Sequence, residues 1–203
     1  MGGILGFSYS TPQANCNITG CNLKNTTISC STTGDYAYVG GICGDATKTS
    51  ISKCSVVNNS GSHKISGFSN YVNRVGGICG YTDGNITSCY VKDYEIEATN
   101  NGSDNYVGGI CGDSYNIISS CFFYEGSITG SGNIGYLVGY NTNVKDSFTT
   151  LSGNGINLIG VGGIQTNCYN GVGDSTTFGG KTWSSGAWSD YNTSSFPPKL
   201  KQN

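Results

Sequence analysis

The pentapeptide Gly-Gly-Ile-Cys-Gly occurs three times without change, at 40–44, 76–80 and 108–112, each time directly after a Val (Val39, Val75, Val107). Looser copies flank these three: Gly2-Gly3-Ile4-Leu5-Gly6, Gly135-Tyr136-Leu137-Val138-Gly139 and Val161-Gly162-Gly163-Ile164. A chain that restates itself at a period of a few tens of residues builds one supersecondary unit repeatedly, and each unit buries its apolar side chains with its neighbours. Residues 1–170 therefore read as a solenoid. Residues 171–203, where the pattern stops, read as a C-terminal cap or linker.

A second signal follows each glycine block by about ten residues: an Ile, two polar residues and a Cys, as in Ile51-Ser52-Lys53-Cys54, Ile86-Thr87-Ser88-Cys89 and Ile118-Ser119-Ser120-Cys121. The first unit has it as Ile18-Thr19-Gly20-Cys21, while Val144-Lys145-Asp146-Ser147 exchanges Cys for Ser, so the position asks for a small side chain before it asks for a thiol. A looser apolar segment (Ile65-Ser66-Gly67, Tyr94-Glu95-Ile96, Ser127-Ile128-Thr129-Gly130) completes three short strands per unit. Gly and β-branched residues recur too often for helix, and no apolar stripe of period 3.6 lasts two turns. The expected fold is all-β, a parallel β-helix of about five to six coils.

In such a stack, equivalent residues lie rung on rung about 4.8 Å apart. Gly40, Gly76 and Gly108, with Gly41, Gly77 and Gly109, then mark a tight corner, where a Cβ would clash or φ must be positive. All six glycine blocks are expected at that corner. Ile42, Ile78 and Ile110 form one file and Ile51, Ile86 and Ile118 another, with Cys43, Cys79, Cys111, Cys54, Cys89 and Cys121 as small core residues.

Unit starts at Gly2, Gly40, Gly76, Gly108 and Gly135 give periods of 38, 36, 32 and 27 residues. The excess is assigned to polar inserts such as 58–63 and 100–105, Asn, Ser and Gly clusters that turns tolerate. The longest are expected at 55–73 and 97–105, and with Phe68, Tyr71 and Tyr106 nearby they form the candidate binding surface. The tail carries both tryptophans, Trp183 and Trp188. It reads as a cap folded over the open end of the stack, or as an aromatic platform for sugar.

These residues resemble the GLUG-type repeats, Gly-Gly-Leu-Val-Gly units followed by an Ile-x-x-Ser/Cys-Tyr segment, found in bacterial adhesins and beside IgA-cleaving peptidases. The likeness covers roughly 2–170, is sharpest at Val75 to Tyr81 and Asn85 to Tyr90, and weakens in the unit that starts at Gly135. It implies a right-handed parallel β-helix in a secreted or surface-displayed protein. It carries over no catalytic residues, and the chain has no His-Glu-x-x-His.

Candidate chemistry is sparse. Ten cysteines suggest either buried free thiols or one bridge within each coil, since Cys43 and Cys54 are spaced much like Cys79 and Cys89. With no Cys-x-x-Cys and a single His, no metal or other cofactor is expected. His63, between Ser62 and Lys64, reads as a solvated side chain. Asp93, Glu95 and Glu97 would share one outward strand face, and read as a solvent face rather than a sugar-cleaving or Ca²⁺ site. Asp45 and Asp113 follow the glycine block at equivalent positions, with Tyr81 between them. An ice-binding row would need Thr in every coil, and Thr19, Ser52, Thr87, Ser119, Lys145 is mixed. The sequons at Asn17, Asn25, Asn58, Asn85, Asn101 and Asn192 matter only in a eukaryotic secretory setting.

Ten basic and 12 acidic residues, scattered singly for a net charge of -2, provide no face for nucleic acid and no polybasic membrane patch. No run reaches the roughly 20 apolar residues of a membrane helix, and no signal peptide opens the chain. Met1 reads as an initiator on a natural start or on a segment of a longer protein, and Gly2 as a repeat glycine, because Gly6 stands where a myristoylation signal wants Ser or Thr. The expected function is a non-catalytic module, extracellular or on the cell surface, acting as a rigid stalk or adhesin-like surface for a protein or glycan. The alternatives are end-to-end self-association into filaments, or a carbohydrate-active or ice-binding β-helix.

Overall fold

The computed structural model describes residues 1–9, 16–100, 104–153, 155–172, 178 and 181–182. The described residues form 22 β-strands. Every strand pairing is parallel and joins equivalent residues of neighbouring repeats, so the fold is a parallel β-solenoid. Gly40, Gly76, Gly108 and Gly135 are register partners in succession, as are Ile51, Ile86, Ile118 and Val144.

Each coil has more parts than the three strands expected. In the unit that begins at Cys79 they are five segments: Cys79–Thr82, Ile86–Thr87, Tyr90–Lys92, Glu95–Asn100 and Asp104–Gly108. The third segments stack into a five-stranded sheet and the fourth into a four-stranded one, while the first, second and fifth join in a 13-stranded sheet. Short turns divide what the hydrophobic pattern showed as single runs.

The core is a set of files. Ile42 N–H donates to Ile78 O, Ile78 to Ile110 O and Ile110 to Leu137 O, so the backbone ladder continues through the glycine corner itself. Val39, Val75, Val107, Ile51, Ile86 and Ile118 are wholly buried alongside. Asn73 and Asn105 are buried too, in a file that opens with Ala37: Asn73 Nδ2 donates to Asn105 Oδ1 (2.9 Å) and Asn105 Nδ2 to Ser131 Oγ (2.9 Å). Ala37 offers no donor to the rung below it, and Asn73 Oδ1 is left without a hydrogen bond.

The corner glycines are required by space alone. A Cβ on Gly76 would stand 2.1 Å from Cys79 O and 2.7 Å from Cys111 Cα, and one on Gly77 2.2 Å from Gly109 O. None of Gly40, Gly41, Gly76, Gly77, Gly108 or Gly109 has positive φ. Left-handed backbone occurs instead one residue before the cysteine file, at Gly20, Lys53, Ser88, Ser120, Asp146 and Asn167, with φ between 46 and 71°. The sixth glycine block is not at the corner. There Gly135 pairs with Asn157 and Val138 with Ile159, so the last strand is one residue short, and Gly162 and Gly163 lie in the following turn with φ of 79 and 77°.

The inserts are shorter than the sequence suggested, because most of 55–73 and 97–105 is in-register strand. The four-residue excess of one unit over the next lies at 58–63, between Val57 and Lys64, where the equivalent gap holds only Asp93 and Tyr94. Tyr94 is fully buried beneath that loop, and its O–H donates to Thr26 O (3.1 Å) and accepts from Thr26 N (3.0 Å) two rungs away.

Of the tail, Val172 and Phe178 cover the outward side of the third-segment sheet, where Tyr90, Phe122 and Phe148 stack at 4.9 and 5.0 Å and Phe178 meets Phe148 edge-on. Trp183 and Trp188 lie outside the described residues.

Candidate functional site

In the fifth segment, alternate residues point outward just before the glycine corner, giving the row Tyr38, Arg74, Tyr106. Just after the corner, the first segment presents a second row: Phe7, Asp45, Tyr81, Asp113, Tyr140. The corner turns these two rows toward one another. The Tyr38 and Tyr81 rings lie 5.8 Å apart, Tyr106 and Tyr140 6.1 Å, and Arg74 Nε donates to Asp113 Oδ2 at 2.5 Å. Residues far apart in sequence thus form one surface.

Arg74 is the hub. Its guanidinium stands 5.0, 5.1 and 5.7 Å from the ring centres of Tyr38, Tyr81 and Tyr106, and Nη1 donates to Tyr38 Oη (2.7 Å). Such cation–π contacts are worth about 0.5–2 kcal/mol each. Burial opposes the charge on Arg74, but Asp113 and Tyr38 more than compensate and its pKa is raised. Asp113 is 1% exposed, and burial pushes its carboxyl up by more than Arg74 draws it down. Its second oxygen, Oδ1, is buried and makes no hydrogen bond. The Asp113 charge, then burial, raises the Tyr115 phenol, and burial leads at Tyr81 and Tyr106. These phenols therefore remain neutral donors at ordinary pH.

The outer part of this face is open. Tyr115 is 52% exposed, 6.0 Å from Tyr81 and 5.5 Å from Tyr140, and Tyr36 stands at the rim. Of the residues singled out in the sequence, Tyr106 belongs to this cluster. Phe68 sits on the fourth-segment sheet and Tyr71 in the turn before Val72, and no ring contact joins either to Tyr106 among the described residues. The position before each Val-Gly-Gly, read across coils as Tyr38, Arg74, Tyr106, was a usable signal. It becomes visible only once the corner brings the two rows together.

The acidic run does not form a single face. Asp93 lies in a left-handed turn (φ 53°) outside the strand, held by Asn58 Nδ2 at 3.3 Å, and Glu97 pairs with Lys64 at 3.1 Å. Asp45 Oδ1 accepts from Thr47 Oγ1 at 2.7 Å. His63 is half-buried rather than solvated, its ring 6.3 Å from Tyr94 and Nδ1 3.4 Å from Thr27 Oγ1. No three His, Cys, Asp or Glu side chains converge as metal ligands among the described residues.

All ten cysteines are free thiols. Eight of them stack between coils in two files, Cys43, Cys79, Cys111, and Cys21, Cys54, Cys89, Cys121, which continues through Ser147 to Cys168, while Cys16 pairs with Thr49 and Cys30 with Gly67. Cys54, Cys89 and Cys121 each donate to the carbonyl two residues back at 3.2–3.3 Å, as Ser147 does at 2.7 Å. The position thus wants a small donor, which explains the exchange for Ser. Burial raises Cys79 and Cys89 well above the ordinary thiol range; for Cys43 and Cys54 the thiol of the next rung raises it first and burial adds. Thiolate chemistry is disfavoured at these four positions.

No curated protein and no solved structure matches the chain. Residues 71–97, which carry Arg74 and Tyr81 and hold one full passage through the glycine corner, match the family model of the GLUG motif, and this stretch of the solenoid is a GLUG repeat.

Proposed function

We propose that the chain is a non-catalytic repeat module of a secreted or cell-surface protein, a rigid rod that meets another macromolecule through its tyrosine face. The observation that carries this reading is the outward cluster of Tyr38, Tyr81, Tyr106, Tyr115 and Tyr140 around Arg74. Tyr and Arg are the residues that concentrate binding energy at recognition surfaces. Asp113 at its centre is engaged by Arg74, and Asp45 in the same row accepts from Thr47, which favours a binding role over the free paired acids that sugar hydrolysis uses. Beads that display the chain should adhere to a subset of a panel of glycan-coated and protein-coated surfaces. A Tyr81→Ser/Tyr115→Ser variant with unchanged melting should not. Adhesion that survives both substitutions refutes the surface, and release of reducing ends from a polysaccharide refutes the non-catalytic reading.

A second reading, end-to-end stacking of copies, has its own support. Among the described residues the strand Leu5–Tyr9 ends its sheet path, and Ile4, Leu5 and Phe7 are exposed there (47, 38 and 60%). Unpaired strand edges of this kind template further pairing. Sedimentation that depends on concentration and is abolished by Phe7→Lys would favour it.

A further inference from the structure

We infer that the tyrosine face is a subsite for a neutral sugar ring, stacked on Tyr115 and Tyr140 and donating one hydroxyl to Asp113 Oδ1. The inference rests on the binding-module reading above and gives that surface a ligand class. Charge carries the first step. Arg74 and Asp113 neutralise one another, and the guanidinium already occupies ring faces of Tyr38, Tyr81 and Tyr106. A cationic ligand would find those faces taken and meet a like charge, and a polyanion would find an Arg committed to Asp113. A neutral ligand has no such penalty.

The second step is the unmet acceptor. Asp113 Oδ1 is buried and receives no hydrogen bond, although its partner oxygen does. Groups of this kind are nearly always satisfied in folded proteins, so this one takes a donor the chain does not supply, water in the free protein and a ligand hydroxyl in the complex. It lies between Tyr81 and Tyr140 in its row and two residues from Tyr115 on the same strand. Tyr115 is the more exposed of the rings beside it and the least costly to shift. A hydroxyl that enters between Tyr115 and Tyr140 supplies the missing donor. An aliphatic or aromatic side chain of a protein partner would fill the same cleft and leave the oxygen unmet.

The third step is shape. The Tyr115 and Tyr140 rings are 5.5 Å apart and tilted by 46°, a contact pair that a shift of the exposed Tyr115 ring would open into a wedge. A pyranose has an apolar C–H face to lay on one ring and a rim of hydroxyls that can reach neutral phenols. Shallow, wet recognition of this kind needs no cavity in the core of the solenoid.

The test is an array of neutral oligosaccharides (gluco-, manno-, galacto- and xylo-hexasaccharides), followed by titration calorimetry of any hit. At least one should bind. Tyr115→Ala, once shown to melt as the parent does, should weaken it about tenfold, and Asp113→Asn should weaken it further or abolish it. Raising salt to about 0.5 M should change little, since no ion pair forms with the ligand. Absence of any hit, binding untouched by Tyr115→Ala, or binding that collapses with salt would each overturn the inference. If protein-coated surfaces are still bound in a manner that depends on Tyr81 and Tyr115, only the sugar assignment is lost. If nothing depends on those residues, the binding face is lost as well.

Discussion

Two glycines on the same file should respond in opposite ways to the same change. Gly6 and Gly80 occupy equivalent positions just after the corner, and neither has positive φ. A Cβ on Gly80 would lie 2.6 Å from Gly44 O, 2.6 Å from Val39 N and 2.7 Å from Arg74 O, all backbone atoms of three different segments. A Cβ on Gly6 would meet nothing within 4 Å. Relieving the Gly80 contacts means parting the coils at that rung. Overpacking of this kind costs about 1–3 kcal/mol, and two or three weakened ladder hydrogen bonds add about 1 kcal/mol each. The stiffer unfolded chain offsets about 0.4–1 kcal/mol. For a chain of this length the net loss corresponds to a fall in Tm of about 5–15 °C. Gly6→Ala has only the offset and should melt about 1–3 °C higher. Thermal melts followed by circular dichroism measure both. The reasoning fails if Gly80→Ala melts at or above the parent, or if Gly6→Ala falls as far as Gly80→Ala.

Three further outcomes are expected. Ser88→Gly and Ser120→Gly, which relieve left-handed backbone at φ 53°, should each stabilise the fold by about 1 kcal/mol in urea titration, where a loss would mean the Ser side chains matter more than the strain. Tyr94→Phe leaves Thr26 N and O without their partner and should destabilise by about 1–3 kcal/mol, against no change if water replaces the hydroxyl. Asp113, raised by burial, binds its proton more tightly folded than unfolded, so its contribution is favourable below the unfolded value and is lost as pH rises through the folded one. Carboxyl NMR should place its midpoint above the ordinary 3.8, and a midpoint below that value would mean the Arg74 attraction dominates.

The free thiols extend this to redox. Reductant should leave the melting temperature unchanged, because the sulfurs act as small core donors, whereas a large fall would require bridges that the files of Cys43, Cys79 and Cys111 do not form.

The stacking was legible because identity at a fixed period leaves a solenoid little choice: Ile42 over Ile78 over Ile110 follows from the pentapeptide alone. What escaped was geometry within a coil. The left-handed rung before each cysteine is filled by Gly, Lys, Ser, Asp and Asn, so it has no residue signature, and the displaced block at Gly162 and Gly163 imitates a corner it does not make. The aromatic face was hidden for another reason. Its two rows lie on opposite sides of the glycines, and Arg74 meets Asp113, and Tyr38 meets Tyr81, only after the corner folds and the coils register. Buried Asn73 and Asn105 likewise look like loop residues until the ladder that joins them is in place.

The most direct test compares two variants for binding to whichever surface the parent adheres to. One removes rings from the face, Tyr81→Ser/Tyr115→Ser; the other removes side chains from the loop at 58–63 and from the turn before Val72, Asn59→Ala/Ser62→Ala/Tyr71→Ala. The ring variant should lose binding while the loop variant binds as the parent does. Loss in the loop variant with binding retained in the ring variant would contradict this and move the site from the tyrosine face to the inserts.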